Sequence, residues 1–512
     1  MNKFSFRQRQ KYVNELKERE FEVLIVGGGI NGAGVLRDLC LRRSTPKQRR
    51  FALIEKSHFA SSASSKNSQL VHGGLRYLKQ FDFGLVREAL SERSTLLRIA
   101  PHATWNQSFL LPVYEFGKRC YYQAGARLYD WLSGFEEGEQ CRWLNSKDAL
   151  YEEPHLNPVG LRGAIQFWDG RMHAFRLVLD QLRESVEMGA ITANFVEAQE
   201  PFRQAEQVVG VRAQDRLSGE EFIIRAKVIV NTMGPWEKTI SLQLIRGSHL
   251  IFPKLTQGPH ALAFFVEQGR ILFVIPYGFD KRFSLVGTTE KMQKKPEPVS
   301  MDQDEQDYLN KHIQDILPSQ SLVPLGHYSA LRPLISSRSD SSPSVISRRH
   351  KIWTSAPNVY HVAVGKWTTF RLISEEVVDR IAQDHCPNLG PSRSAEVAID
   401  GNTQAALNEL TSRLPELGRK YRLSYRTVNL ILENYGIRTP EILSLCQDAR
   451  SQFPLTSSDN QKLPYILAQA QWAVENEMTG RLEDFLEIST PLRYLYDLSP
   501  ETEQKLQGYF KS

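Results

Sequence analysis

The chain has 512 residues, which is too long for one simple hydrophobic core and predicts two or three domains. Its 41% hydrophobic and 24% charged residues are typical of an ordinary globular protein. The formal net charge of +6 suits an anionic substrate or acidic lipid headgroups, but it is too dispersed to indicate nucleic-acid binding.

Neither a membrane span nor a secretion signal is predicted. No apolar run reaches the roughly 18–20 residues that cross a bilayer, and the polar, basic N-terminal segment has no apolar signal-peptide region. The five cysteines are scattered without a CxxC pair, which favours a reducing compartment and argues against a disulfide framework or a zinc site. We therefore expect a cytoplasmic protein with no metal.

Residues 1–20 are charged, with apolar and aromatic side chains among them. Two arrangements fit this pattern: a short amphipathic helix that lies on a membrane surface, or an arm that packs on its own domain. The sequence alone leaves both open. The apolar and aromatic residues concerned are Phe4, Phe6, Tyr12, Val13 and Leu16.

The first strongly apolar segment, FEVLIV (21–26), predicts a strand that leads into a glycine turn. Helical spacing follows the turn, and FALIEK (51–56) predicts a second strand. A strand, a helix and a strand within about thirty-five residues form a crossover unit, so we expect the two strands to belong to one parallel sheet.

The glycine turn carries a nucleotide-binding motif. Gly27, Gly29 and Gly32 form GxGxxG, and Glu55 ends the next strand. The first glycine makes the tight turn, the second lets the backbone approach a pyrophosphate, and the third permits close packing of helix and strand. The helix N-terminus offers N–H groups to the phosphates. An acidic residue such as Glu55 accepts hydrogen bonds from ribose hydroxyls, so it favours FAD or NAD over NADP.

The middle of the chain alternates predicted strands with helical stretches. Strands are predicted at 227–236, 270–278 and 283–290, and the region 295–350 is expected to be mainly loops with a short helix. Residues 358–385 then repeat the order of strand, glycine turn and helix. In an extended flavin-binding architecture this second helix N-terminus points at the flavin pyrimidine ring, so the repeat favours FAD over NAD.

Beyond about residue 395 the predicted strands stop, and helical spacing indicates a separate all-α domain. Three parts are therefore expected: a basic arm (1–20), a FAD-binding domain interleaved with a substrate domain (21–390) and a C-terminal helical domain (391–512). Within the last part, helices are predicted at 403–413, 424–434, 438–448, 461–478 and 499–510.

Nine motifs in this order resemble those of the FAD-dependent, quinone-linked glycerol-3-phosphate dehydrogenases. The resemblance is dense over residues 21–380 and weaker beyond them. The motifs are VGGGINGAG, SS…LVHGGLRYL, EALSERSTLLRIAPH, VNTMGPW, RGSHL, FVIPY, VGTT, YSALRPL and VGKWTTFR.

The resemblance implies an α/β fold. Its parts would be a Rossmann-like FAD-binding domain of the glutathione-reductase and D-amino-acid-oxidase type, an interleaved α+β substrate (cap) domain, and the C-terminal all-α domain. It also implies oxidation of sn-glycerol 3-phosphate to dihydroxyacetone phosphate by hydride transfer to N5 of FAD. Electrons would pass to a quinone at the cytoplasmic face of a membrane, where the protein would be peripheral. A homodimer stays open.

The resemblance assigns roles to individual residues. HGGLRY is the loop beside the flavin ring, where Arg76 and Tyr77 reach the substrate, and Arg332, Arg348 and Lys366 match the phosphate-binding set. A phosphate dianion suits arginine because the planar guanidinium binds two oxygens at once. The residues expected to contact FAD are Gly27, Gly29, Gly32, Glu55, Ser64, His72, Gly73, Gly74, Gly234, Gly365, Lys366 and Thr368.

Oxidation of an alcohol also requires a base for the hydroxyl proton. His249 in RGSHL is the candidate, because an imidazole titrates near neutrality. Arg332 and Lys366 complete the expected catalytic set. The alternative for His249 is a structural histidine bonded to the backbone. His72 is the second candidate base, although its place in the HGG turn suits it better to fixing the loop.

The sequence departs from the family pattern at four places. Gln69 stands where the family has a lysine, Glu290 ends the usual GTTD, AFRL (174–177) replaces Asp-Ala-Arg-Leu, and EIST (487–490) replaces a string with two arginines. Loss of the lysine and of the two arginines predicts weaker anion binding there. FAD binding is not affected, but the exact substrate and the electron acceptor are left open.

Three functions are therefore compatible with the sequence. The first is a glycerol-3-phosphate dehydrogenase that reduces a quinone. The second is a related flavin oxidoreductase for another small polyol phosphate or a hydroxy acid, with O₂ as a conceivable acceptor. The third is a flavoprotein without turnover that serves as a binding module. The presence of Arg76, Arg332, Arg348 and Lys366 together argues against the third.

Overall fold

The computed structural model describes residues 3–42, 51–74, 82–133, 140–335, 350–363, 366–448 and 450–510. These residues form two large β-sheets with flanking helices, followed by a helical C-terminal unit. The chain runs from the first sheet to the second and back again, twice, before it enters the C-terminal unit. The two sheets are therefore interleaved along the sequence, as the family resemblance implies.

The first sheet is mainly parallel. Its central strand, Glu20–Val26, pairs in parallel with Phe51–Ile54 on one side and with Glu221–Asn231 on the other. The run VLIV is buried, as expected for a central strand covered on both faces. In spatial order the strands are Lys351–Ala356, Val359–Ala363, Glu221–Asn231, Glu20–Val26, Phe51–Ile54 and Ile191–Ala193, and the hairpin Val196–Gln204 and Gln207–Asp215 extends from Glu221–Asn231.

The second sheet is mainly antiparallel and begins after the first crossover unit. Its longest pairings join Thr104–Val113 to Gly163–Met172 and Leu242–Pro253 to Gly326–Ile335, each over ten residues. The remaining strands are Leu70–Val71, Arg142–Asn145, Ala261–Phe265, Ile271–Tyr277, Phe283–Gly287 and Lys291–Gln293.

The helix that follows the glycine turn, Ile30–Leu41, packs against Ala174–Glu187 and Phe370–Asp384. Its side of the sheet thus gathers helices from three distant parts of the sequence, which ties the crossover unit to the late helix. The other helices before residue 390 are Arg9–Glu18, Phe83–Ile99, Arg119–Ser133, Ser146–Glu152 and Gln303–Ile316.

The N-terminal segment packs on its own domain. Its helix, Arg9–Glu18, buries Val13 and Leu16 completely. Arg9 forms a buried ion pair with Asp215, with 2.6 Å between Nη2 and Oδ1. The alternative in which these apolar side chains lie in a membrane is wrong, because the protein already covers them.

The C-terminal unit is helical, as predicted, except for a two-stranded ribbon. The helix predicted at 461–478 begins only at Leu467, because Lys462–Ile466 forms a strand and Pro464 disfavours a helix through that segment. The ribbon pairs Pro454–Thr456 with Lys462–Ile466. The helices are Gln404–Tyr421, Tyr425–Tyr435, Thr439–Ser444, Leu467–Asn476, Leu482–Asp484, Leu492–Leu495 and Pro500–Phe510, with a π-helical turn at Phe485–Ser489.

The prediction of mainly loops at 295–350 is wrong for the described part of that region. A helix of 14 residues, Gln303–Ile316, begins at a capping box formed by Asp302 and Glu305. The strand Gly326–Ile335 follows it and contains the SALRPL motif. Its polar sequence does not resemble a strand, and its conformation comes from pairing with Leu242–Pro253, which is distant in sequence.

Candidate active site

A cavity of about 850 Å³ lies where the carboxyl ends of the parallel strands meet the second sheet. Val26, Ile54 and Thr232, which end or directly follow three parallel strands, line it. His249 and Arg332 line it from the second sheet. A crevice at the carboxyl ends of parallel strands is the usual nucleotide site in folds of this kind.

The glycine turn leaves no room for side chains. Gly27 has a φ of 112°, and a Cβ atom there would lie 2.7 Å from the Thr232 carbonyl oxygen. A Cβ on Gly32 would overlap the Gly27 carbonyl oxygen. The motif therefore brings strand and helix into direct backbone contact, as the sequence predicts.

Gly29 opens the helix toward the cavity. It is the N-terminal cap residue of Ile30–Leu41, and a Cβ there would lie 2.8 Å from Ser64 Oγ. Ser64 Oγ accepts a hydrogen bond from the Ile30 N–H at 2.9 Å. Gly29 and Ser64 both line the cavity. Bare backbone at a helix N-terminus is the environment that a pyrophosphate requires, so this part of the site fits FAD.

Glu55 is held at the edge of the cavity by the backbone. Its carboxylate accepts hydrogen bonds from the Gly28 N–H at 2.7 Å and from the Ser57 N–H at 2.9 Å. Burial raises the pKa of Glu55, and these two hydrogen bonds oppose the rise. A carboxylate fixed in this way can accept hydrogen bonds from ribose hydroxyls, which again fits FAD.

The HGG loop is fixed by a buried polar cluster. The Gly73 N–H donates to Tyr129 Oη at 3.1 Å and to Asp169 Oδ1 at 3.4 Å, and Tyr129 donates to Asp169 at 2.7 Å. Burial raises the pKa of Asp169, and the nearby Arg93 opposes that rise. A Cβ on Gly73 would lie 2.6 Å from Tyr129 Oη, so only glycine fits at this position.

The segment that leads into the late helix contacts the same loop. Lys366 Nζ donates to the Gly73 carbonyl oxygen at 3.0 Å. The Thr368 hydroxyl bonds to the backbone N–H and carbonyl oxygen of His72 at 3.3 and 3.4 Å. These hydrogen bonds join two motifs nearly 300 residues apart in sequence, so the loop and the ammonium group hold fixed positions at the cavity.

Arg332 lies beside a glycine that leaves space for it. A Cβ on Gly247, on the adjacent strand, would lie 2.6 Å from Arg332 Nη2. Nη2 donates to Thr288 Oγ1 at 2.9 Å, and Nη1 lies 3.4 Å from Glu290 Oε1. The departure at Glu290 therefore keeps a carboxylate next to the arginine that was predicted to bind phosphate, on a side chain one methylene longer than the usual aspartate.

His249 lies buried on the same strand as Gly247. Its Nε2 lies 2.9 Å from Ser68 Oγ, and its ring packs 5.1 Å from that of Tyr328, centre to centre. Burial and the charge of Arg332 lower the pKa of His249 to about 3. The imidazole is therefore neutral at physiological pH, as a group that accepts a proton must be.

The structure brings most of the predicted site residues together. Gly32, Gly73 and Thr368 lie behind the cavity wall and support it, as described above. The predicted residues that line the cavity are Gly27, Gly29, Glu55, Ser64, His72, Gly74, Gly234, His249, Arg332 and Lys366. The predicted residues Arg76, Tyr77, Arg348 and Gly365 lie outside the described residues.

Several polar residues that sequence reasoning missed also line the cavity, among them Ser68, Arg270, Arg481 and Asp484. Arg270 directly precedes the strand that carries FVIPY, and its guanidinium lies 4.8 Å from the centre of the Tyr308 ring. Its position close to the FVIPY motif was the sequence signal that could have indicated Arg270 as a site residue. The last two come from the C-terminal unit, and no local pattern indicates their position.

The departure at Gln69 lies away from the cavity lining, and its effect on anion binding stays a prediction. Gln69 is buried and does not line the cavity. Its amide donates to the Ser65 carbonyl oxygen at 2.6 Å and accepts from the Ala174 N–H at 3.0 Å. Ala174 is itself a departure, since it replaces the aspartate of the family string. Gln69 and Ala174 are therefore bonded to each other, so these two departures change a single structural contact.

The departure at 487–490 does reach the cavity. Glu487 forms an ion pair with Lys66 at 3.1 Å, and Lys66 lines the cavity. Tyr494 donates to the same carboxylate at 3.1 Å. A glutamate here offsets the charge of a cavity lysine, so the predicted reduction of positive charge in this region has a structural basis.

No group of three or more His, Cys, Asp or Glu side chains in the described ranges is arranged to hold a metal ion. No helix in the described part of the chain is long and apolar enough to cross a membrane.

Comparison with known proteins agrees with the site. Residues 22–380 match a family described as FAD dependent oxidoreductase, and residues 392–504 match one described as the C-terminal domain of alpha-glycerophosphate oxidase. The first match covers well over half of the chain. The prediction of FAD as cofactor is confirmed, and the class is that of FAD-dependent oxidoreductases.

Individual relatives identify one family within the FAD-dependent oxidoreductases. The aerobic glycerol-3-phosphate dehydrogenase of Bacillus subtilis (strain 168) is 30% identical over 97% of this chain and 92% of its own. That of Staphylococcus saprophyticus is 29% identical over 93% of this chain and 88% of its own. The X-ray structure of the glycerol-3-phosphate dehydrogenase from Bacillus halodurans complexed with FAD has 26% identity and a TM-score of 0.75, and covers 95% of this chain and 89% of that one. The chain belongs to the FAD-dependent glycerol-3-phosphate dehydrogenase family, as its motifs indicate.

The glycine turn gives a first prediction. Gly29→Val should abolish stoichiometric FAD binding, because its side chain would collide with Ser64 Oγ and block the approach of a pyrophosphate. The absorbance of bound flavin in the purified protein measures this. Gly84→Val is the matched control, since a Cβ there meets nothing closer than 3.9 Å. A yellow Gly29→Val protein with one FAD per chain would contradict the placement of the pyrophosphate.

His249 predicts how stability depends on pH. Its pKa is about 3 in the folded protein, against 6.5 for an unburied histidine, so between these values the unfolded chain binds a proton here that the folded chain does not. The free energy of unfolding should therefore fall as the pH drops from 6.5 towards 3. At pH 5, His249→Gln should lower the number of protons that the chain takes up on unfolding by about one. Urea unfolding at several pH values measures this number.

If His249→Gln leaves the proton uptake on unfolding unchanged, the imidazole is not held neutral in the folded protein.

Proposed function

We propose that this protein oxidises sn-glycerol 3-phosphate to dihydroxyacetone phosphate in a FAD-dependent reaction. One observation carries the proposal: a buried neutral imidazole lines the FAD cavity together with Arg332 and Arg270. The names of the relatives support it, since glycerol-3-phosphate dehydrogenases match nearly the whole chain.

The substrate phosphate binds at Arg332 and Arg270. Both guanidinium groups belong to the second sheet and line the cavity, and Thr288 Oγ1 holds one of them in place. A dianion gains from charge-assisted hydrogen bonds to such groups, particularly where the surroundings are partly dry. Lys366 adds a further positive charge to the cavity. Arg76, Tyr77 and Arg348 stay predictions from sequence for the same substrate.

The chain's residues also handle the hydroxyl proton. When bound, FAD supplies the acceptor for the hydride that leaves C2 of the alcohol. The hydroxyl proton reaches His249 Nε2 through Ser68, whose Oγ lies 2.9 Å from that nitrogen. Ser68 Oγ accepts the proton of the substrate hydroxyl while its own hydroxyl proton passes to Nε2.

Phosphate binding and proton transfer are coupled through Arg332. The charge of Arg332 helps to hold the pKa of His249 near 3, which makes the free imidazole a weak base. A phosphate dianion at Arg332 offsets that charge, so the pKa of His249 rises when the substrate binds. The imidazole therefore becomes a stronger base when a phosphorylated substrate binds, and glycerol itself should be a poor substrate.

Two alternative functions predict different substrates, or none, for reduction of the bound flavin. A related oxidoreductase for another polyol phosphate or a hydroxy acid is favoured by Glu487, whose carboxylate pairs with the cavity residue Lys66 and lowers the net positive charge there. A binding module without turnover would bind FAD but would not reduce it with any of these compounds.

Replacement of Arg332 tests the phosphate site. Arg332→Ala should lower kcat/KM for sn-glycerol 3-phosphate about tenfold to a hundredfold, because each charge-assisted hydrogen bond contributes about 1.5–3 kcal/mol. Activity towards glycerol should change far less, since glycerol makes no such contact. Steady-state kinetics with an artificial electron acceptor measures both substrates.

Arg212→Ala is the matched control, since Arg212 is exposed on the hairpin of the first sheet and pairs with the exposed Glu200. It should leave both activities unchanged. An equal loss for both substrates in Arg332→Ala, with FAD still bound, would show that Arg332 does not recognise the phosphate.

We further propose that a quinone accepts the electrons and that the protein reaches it as a peripheral protein on an anionic membrane. The quinone rests on the family resemblance of the motifs. The membrane contact rests on an exposed surface around the helix Arg119–Ser133, which we call the aromatic surface. It consists of Phe116, Lys118, Arg119, Tyr121, Arg127 and Trp131.

The aromatic surface has the composition of a membrane interface. Phe116 is 85% exposed, Tyr121 54% and Trp131 64%. Lys118 lies 5.5 Å from the centre of the Tyr121 ring, so cations and rings alternate on one surface. Aromatic rings that insert at headgroup depth and cations that attract anionic lipid form this kind of site. It replaces the N-terminal arm as the proposed point of contact.

Vesicle binding tests this surface. Arg119→Gln combined with Arg127→Gln should weaken partition to anionic vesicles about thirtyfold, since each cation near the surface contributes about 1 kcal/mol. Trp131→Ser should weaken binding further, whereas Tyr425→Ser, at an exposed aromatic of the C-terminal unit, should not. Unchanged partition would contradict the proposal. A sedimentation mass of two chains that these substitutions reduce to one would assign the surface to a homodimer instead.

A further inference from the structure

The C-terminal unit reaches the cofactor cavity through one segment. Residues 479–487 lie along the loop 58–66, and this loop lines the cavity. Thr479 Oγ1 lies 3.3 Å from His58 Nε2 at one end, and Glu487 pairs with Lys66 at the other. Between these two contacts the segment presents Arg481 and Asp484 to the cavity.

Arg481 marks the part of the cavity that the segment covers. Its guanidinium lies 4.4 Å from the centre of the Phe195 ring. The Phe195 N–H donates to the Ser57 carbonyl oxygen at 3.1 Å, and the next residue, Val196, donates to the Glu55 carbonyl oxygen at 2.8 Å. Arg481 therefore lies at the end of the cavity where Glu55 is expected to bind ribose, and not at the end of His249 and Lys366.

Asp484 carries an acceptor that the described residues do not use. Its Oδ2 atom is buried, and no described residue donates a hydrogen bond to it. An unpaired carboxylate oxygen in a buried place is unfavourable unless a donor arrives. The phosphates of FAD offer no donor, whereas the adenosine half offers its ribose hydroxyls and the amino group of adenine.

We propose that the C-terminal unit forms one wall of the adenosine subsite, in which Asp484 accepts a hydrogen bond from the adenosine half of FAD. Arg481 closes the outer side of this wall by stacking on Phe195. FAD then contacts both the first sheet and the C-terminal unit, so its binding holds the two together. The C-terminal unit thus contributes to cofactor retention as well as to packing.

Cofactor affinity of the full-length protein tests the proposal. After removal of FAD, Asp484→Ala should bind FAD about tenfold to a hundredfold more weakly than the unchanged protein, and ADP should be weakened by the same factor. Quenching of FAD fluorescence gives the first dissociation constant, and competition by ADP gives the second. Equal losses are expected because the contact lies in the half of the cofactor that ADP shares.

A neighbouring residue and a conservative substitution control for folding. Glu483→Ala, at an exposed carboxylate next to Asp484, should leave both affinities unchanged. Asp484→Asn keeps one acceptor oxygen and should lose less affinity than Asp484→Ala. Without FAD, Asp484→Ala should melt no lower than the unchanged protein, because it removes an unpaired carboxylate. The rise in melting temperature on adding FAD should be smaller for Asp484→Ala than for the unchanged protein.

Two results would overturn the assignment. The first is unchanged affinity of Asp484→Ala for both FAD and ADP. The second is weaker binding of FAD with unchanged binding of ADP, which would place the contact on the flavin half.

Discussion

At the carboxyl end of the central strand the backbone of Gly27 lies against that of Thr232, and the rest of the structure depends on this close approach. Thr232 N–H and Oγ1 both donate to the Val26 carbonyl oxygen, at 2.9 and 3.0 Å. A side chain on Gly27 or Gly32 would separate the strands or push the helix away. The turn thus sets the position of the helix N-terminus, and with it the position of FAD.

The second sheet adds chemistry to a cavity that the first sheet positions. Gly247 leaves space for the guanidinium group of Arg332, just as Gly27 leaves space for the carbonyl group of Thr232. Arg332 in turn acts on His249, whose pKa it helps to lower. In the proposed function one charge links phosphate recognition to proton transfer, and this link would distinguish a phosphorylated alcohol from the free polyol.

Sequence reasoning succeeded where the signal is local. The turn, the parallel strands and the helix around Gly27 follow from spacing within about thirty-five residues, and the motif fixes the cofactor class. It failed where partners are distant: the strand Gly326–Ile335 exists because Leu242–Pro253 pairs with it, and Gln69 is buried because the Ala174 N–H lies beside it. Asp484 belongs to the same group, because nothing in its neighbourhood in sequence indicates a place at the cavity.

The central claim is that sn-glycerol 3-phosphate is oxidised at this cavity. Anaerobic mixing of the purified FAD-containing protein with sn-glycerol 3-phosphate, followed by absorbance of the oxidised flavin, tests it most directly. The account predicts rapid and complete bleaching by sn-glycerol 3-phosphate and very slow bleaching by glycerol at the same concentration. Bleaching by another polyol phosphate or a hydroxy acid, with no absorbance change on addition of sn-glycerol 3-phosphate, would contradict it.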